Sequence, residues 1–222
     1  MGSRHRASEL VLGLALAWGA VACSSDAKTI PGGAGGASGA ASCDAIDYAS
    51  YKTGATPSFR TDIMPIFGLS CTASSCHNTQ IKKAGLDLGV RCKYDLTTLK
   101  CVFPDAVDPM DQSADPYSPL TATVLAATRT SLMAPAKTVT SASIPRVLPG
   151  DPEHSFLVQK VTDKQNAEGY TCTNADPSNS TVQPPLACGD LMPLGATPLC
   201  EGTQRPNFDL IARWIAQGAP DN

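Results

Sequence analysis

The run Cys71-Thr72-Ala73-Ser74-Ser75-Cys76-His77 decides how this chain is read, because it packs two thiols and an imidazole into seven residues. Nowhere else in the sequence does a histidine adjoin a cysteine. A cysteine-rich segment ending in Cys-His is how a c-type haem is tethered. The thiols add to the porphyrin vinyl groups, and the next residue ligates iron. The customary spacing places two residues between the cysteines, whereas here four intervene. Two covalent fates are therefore open to these thiols. One is a thioether; the other is a disulfide, either with each other or with Cys43 or Cys200.

Upstream of this run the chain reads as a leader and a tether. Arg4, His5 and Arg6 form a positive region, and Leu10 to Val21 form an apolar one that ends in small residues. That stretch is shorter than the ~20 residues a membrane-crossing helix needs. Ala20-Val21-Ala22-Cys23 resembles the lipobox of bacterial lipoproteins. The resemblance implies a signal peptide over 1–22 and a lipid on the Cys23 thiol. Neither Ser24 nor Ser25 is an acidic inner-membrane retention signal, so an outer-membrane address is expected, facing the periplasm or the cell surface. Residues 23–42 are rich in Gly, Ala and Ser, with no large apolar side chain between Pro31 and Ser42, and are expected to form a flexible spacer.

The remainder, residues 43–222, is long enough for one domain with a core. A net charge of −3 with both signs scattered gives nucleic-acid binding no electrostatic support. Eighteen prolines, eighteen glycines and 5% aromatics argue for a loop-rich fold with short helices. Hydrolase signatures such as Gly-x-Ser-x-Gly and His-Glu-x-x-His are missing. Zinc is poorly served, because outside the leader the histidines are His77 and His154 and no Cys-x-x-Cys pair exists.

Hydrophobic spacing predicts a helix over 58–69, with Phe59, Ile63, Ile66 and Phe67 on one face, Ser58 as cap and Pro65 bending it. Ala84 to Leu88 reads as a short extended or turn element with two buried leucines. Residues 91–101 read as a hairpin around Asp95-Leu96, and a helix is expected over 118–128. Val147 to Pro152 reads as a turn, followed by a helix over 155–161. The strongest helix signal is 207–217, capped by Asn207, with Phe208, Ile211, Trp214 and Ile215 inward. Gly218 and Pro220 stop it.

Taken in order, Ile63-Met-Pro-Ile-Phe67, Cys71 to His77, Gly85-Leu-Asp-Leu88, Pro149-Gly-Asp-Pro152 with Ser155 and Leu157, Met192-Pro193, and Ile211 to Pro220 resemble class I cytochrome c domains. The similarity is closest to the haem-binding domains of exported myxobacterial and planctomycete proteins. It implies a mainly α fold, a cytochrome c-like domain with a long, loop-rich, disulfide-stabilised insertion at about 90–185. It also implies one covalent haem c, with Cys71 and Cys76 as thioether points, His77 as proximal iron ligand and Met192 as distal ligand. Trp214 would then belong to the core around the haem.

On the residues alone, Met192 also reads as a core methionine, and Met64, Met110, Met133 and His154 compete for the distal role. The six other cysteines read most simply as three disulfides, although six permit fifteen pairings. Proximity favours Cys92–Cys101 and Cys172–Cys188, which leaves Cys43–Cys200 to join the ends. The expected function is single-electron transfer in the cell envelope to a redox protein, carried by a membrane-anchored carrier rather than an enzyme. The alternative is a haem-less lipoprotein of the same fold, held by disulfides, with a structural or interaction role.

Overall fold

The C-terminal helix carries the largest buried side chain of the core, Trp214. The computed structural model describes residues 43–222 apart from 73–75, 99, 108, 111–115, 141–142, 167–169 and 174–187. Within them helix α4 spans Arg205–Ala216, two residues earlier than its apolar pattern predicts. Pro206 accounts for the difference: its fixed φ and missing N–H suit a first helical turn. Asn207 is therefore not the cap; it lies inside the helix, and its side chain donates to Gln204 Oε1 (2.8 Å). The helix stops as expected. Gly218 takes a left-handed φ of +95° and donates to Ile215 O, while Ala219 donates to Trp214 O. This pair of bonds satisfies the last carbonyls. Phe208, Ile211, Trp214 and Ile215 are all buried.

Against that face lies the segment before the cysteine run. It begins as a π-helical turn, Phe59–Ile63, and continues as α1, Met64–Ser70. Ser58 caps it by accepting from the Thr61 N–H (3.3 Å). Pro65 lacks an N–H, and its ring would crowd the carbonyl four residues back in a regular helix. The preceding turn widens instead, with Ile63 donating to Ser58 O (3.2 Å) and Met64 to Phe59 O. Phe59 then stacks on Trp214, centroids 5.2 Å apart at 14°. Asn222 returns to the same place, its oxygens accepting from Ser58 Oγ, the Phe59 N–H and the Arg60 N–H.

Strands β1 (Lys93–Asp95) and β2 (Lys100–Val102) form the expected antiparallel hairpin, Tyr94 opposite Cys101. Helix α2 spans Ala122–Met133 rather than 118–128. Thr121 supplies the cap by accepting from the Val124 N–H (3.2 Å), and Pro135 forces Ala134 into extended backbone at the other end. Helix α3 is Phe156–Val161, as expected after Ser155. Leu88 is buried, but Leu86 is only partly so, because Lys83–Gly85 forms a 3-10 turn rather than an extended segment.

The stretch at 90–185 is not peripheral to this core. Leu125, Leu132, Val147, Val158 and Val161 join the same cluster as Phe59 and Trp214. A smaller cluster gathers Ala136, Val139, Phe156 and Cys188. Three disulfides join described residues: Cys43–Cys200, Cys92–Cys101 and Cys172–Cys188, with Cα separations of 5.3, 5.4 and 5.0 Å. These are the pairings that spacing favours. Among the described residues no helix is long and apolar enough to cross a membrane. The leader, Cys23 and the tether lie outside the described residues.

Near the first disulfide, Tyr51 donates to Asp209 Oδ1 (2.5 Å), and Arg205 contacts both. Burial, then the bonded Asp209 carboxylate, push the Tyr51 phenol up to about 12. A raised folded-state value means that the contribution is complete below the unfolded value of about 10 and is lost as pH climbs through 10 to 12. Relative to Tyr51→Phe, the parent should lose ~2 kcal/mol over that window, measured by urea midpoints. Parallel decline of the two proteins would refute this.

Candidate functional site

The Cys71–His77 loop hangs from the end of α1 and is fastened at both edges. Cys71 N–H donates to Phe67 O (2.8 Å), and Thr72, fully buried, donates through Oγ1 to Gly68 O (3.0 Å). His77 N–H then returns to Cys71 O (3.1 Å), while its own carbonyl accepts from the Leu88 N–H (2.7 Å). Beyond it, Asn78 Oδ1 accepts from the Gln80 and Ile81 N–H groups (3.0 and 2.8 Å). That turn brings Lys83 back beneath the histidine. Asn and Asp favour such a side-chain-closed turn.

The His77 ring places Nδ1 3.0 Å from Lys83 O. A carbonyl only accepts, so Nδ1 carries the proton and Nε2 carries the lone pair. Burial holds the imidazole neutral, with its pKa down at about 4. The Lys83 and Leu86 carbonyls oppose that shift, while the Lys160 and Arg146 charges add to it. A neutral ring with one nitrogen bonded to a backbone carbonyl is the arrangement by which proteins orient a metal-binding histidine.

Cys71 is a free thiol and does not bridge Cys76. Burial pushes its pKa up to about 12, so it stays protonated at neutral pH. Cys76 is buried and disulfide-bonded. A haem thioether forms from a thiol, the state that Cys71 has and that Cys76 reaches only once its disulfide is reduced.

Met192 is half-buried on a loop tied to α3, its N–H donating to Lys160 O (2.9 Å), and its bond to Pro193 is cis. The same Lys160, through its ammonium, donates to Cys188 O (3.1 Å) and to Asp190 O, and its charge reaches His77. The competing side chains lie elsewhere. Met64 is fully buried in the core, Met110 is exposed, and Met133 packs at the end of α2. His154 sits in an exposed turn with Nδ1 against Asp151 Oδ2 (2.7 Å). Trp214 packs on Phe59 and donates to Pro220 O (2.9 Å).

Three contributors escaped the sequence pattern. Lys83 acts through its backbone carbonyl, which any residue could supply, and Lys160 and Arg146 stand in no motif. Among the described residues no group of three or more His, Cys, Asp or Glu side chains could hold a metal ion. No protein-family model, curated protein or solved structure matches the chain.

Proposed function

We propose that the mature chain is a c-type cytochrome-like electron carrier, anchored through a lipid on Cys23, that holds one covalent haem and exchanges single electrons with an envelope redox protein. The observation that carries this reading is the His77 ring: neutral, half-buried, and held through Nδ1 on Lys83 O so that Nε2 offers a lone pair. Cys71 and, once reduced, Cys76 would hold the porphyrin, and His77 would ligate the iron. Met192 would supply the second axial ligand. A thioether is a soft, neutral donor that raises the iron potential relative to a second imidazole. When bound, the haem supplies a one-electron couple. Around it the chain fixes the imidazole, encloses it in low dielectric and ties the Met192 loop to α3.

The three disulfides of the described residues favour a second reading, in which the same fold serves as a haem-less lipoprotein with a structural or interaction role. One preparation separates the two. The full chain, expressed with a haem-attachment system, is expected to gain the mass of one haem, retain haem staining after denaturing electrophoresis and show Cys76 free of any disulfide in the loaded fraction. His77→Ala should remove the low-spin spectrum, and Met192→Ala should shift the reduction potential. A colourless product with Cys76 still oxidised would overturn the haem reading.

A further inference from the structure

Arg146 is 5% exposed, yet among the described residues its guanidinium meets only backbone carbonyls: Nη1 donates to Ser131 O (2.8 Å) and Nη2 to Ala84 O (3.2 Å). No carboxylate of the described residues pairs with it. Buried charges are ordinarily neutralised by a partner, because removing an ion from water is expensive. Burial is also the sole cause that lowers its pKa, with no neighbouring acid opposing it.

Arg146 lines a groove of about 1290 Å³ between α2 and residues 134–140. Small and apolar side chains form the walls, among them Ala122, Ala126, Ala127, Ala134, Pro135 and Val139. Lys82 and Lys137 also line it, against one acid, Asp87. That carboxylate is already engaged by Lys82 Nζ (3.2 Å) and the Gly89 N–H (2.9 Å). The Lys137 stem crosses Gly85, where φ is +68° and an added Cβ would stand 2.6 Å from Nζ. Glycine at this point lets the ammonium reach the groove.

We infer that this groove binds a small organic carboxylate, its charged end on Arg146 and Lys137 and its apolar body along α2. The planar fork of an arginine matches a carboxylate, and the alanines of α2 offer an apolar stripe beside it, interspersed with the hydroxyls of Thr123, Thr130 and Ser131. Neither Cys71, His77 nor Met192 lines the groove, so the inference stands or falls independently of the haem.

Calorimetric titration of the full chain with octanoate is expected to saturate at one site. Octanamide, equal in length but uncharged, should bind at least about tenfold more weakly. Lys137→Ala, at an exposed position, should weaken octanoate by about threefold to tenfold. Arg146→Met should do more, but it also removes the bonds to Ser131 and Ala84 and can unfold the chain. Ala126→Phe is the second test: the site is exposed on α2, and the added ring fills the groove without entering the core. It should abolish binding while leaving the circular dichroism spectrum unchanged. The inference is overturned by the absence of saturable heat, by equal binding of octanamide, by parent-like binding of Ala126→Phe, or by inorganic phosphate binding as tightly as octanoate.

Discussion

Replacing both Cys43 and Cys200 with alanine is expected to lower the unfolding free energy by about 5 kcal/mol, the largest loss among the three disulfides described. The bridge spans 157 residues, so in its absence the unfolded chain regains the freedom of a very long loop. The same relation gives about 3 kcal/mol for Cys92–Cys101, which spans nine residues. Both cysteines of the long bridge are buried, and the 3-10 turns at Cys43–Ala45 and Tyr48–Lys52 pack against α4 beside them. Tyr51 meets Phe208 edge-on at 6.3 Å, so the contact that the bridge secures is apolar as well as covalent. Urea midpoints of the two double variants, taken with unchanged denaturant slopes, measure the difference directly. Equal losses from the long and short bridges would defeat the loop-entropy account.

Those pairings were legible because a cysteine's neighbours in sequence restrict its partners: residues nine and sixteen apart close small loops, and the last two cysteines then join by default. The inward face of α4 was legible for a similar reason, since its period needs no knowledge of the partner. Its starting residue was not. Asn207 has cap chemistry, but Pro206 beside it begins the helix earlier. Helix α2 shifted because Thr121 competes with Ser118 as a cap, and the pattern of small residues after Ala122 carries little amphipathic signal. At the candidate site, the residue types Cys71, Cys76 and His77 could be read from the chain. Their states could not. What fixes His77 is a carbonyl of Lys83, and what leaves Arg146 without a counter-charge is the packing of three distant segments.

Trp214→Ala is expected to destabilise the haem-free chain by ~3–5 kcal/mol. Trp214 is fully buried, its ring lies on Phe59 and its indole N–H is taken by Pro220 O, so alanine would leave a cavity and an unpaired carbonyl together. Trp214→Phe separates the two effects: the aromatic contact persists, the bond to Pro220 does not, and the loss should be ~1–2 kcal/mol. Coupling between Trp214 and Phe59 should appear in a double-mutant cycle as ~0.5–1.5 kcal/mol. The resemblance to cytochromes places this tryptophan around the haem, where its removal would act mainly on the loaded protein. It stacks on Phe59 and donates to Pro220 O, and so joins α4 to the π-turn before α1 and to the C-terminal segment. Urea titration of the haem-free chain decides between these roles. If Trp214→Ala left that chain as stable as the parent and weakened only the haem-loaded form, the packing role assigned to Trp214 would be wrong.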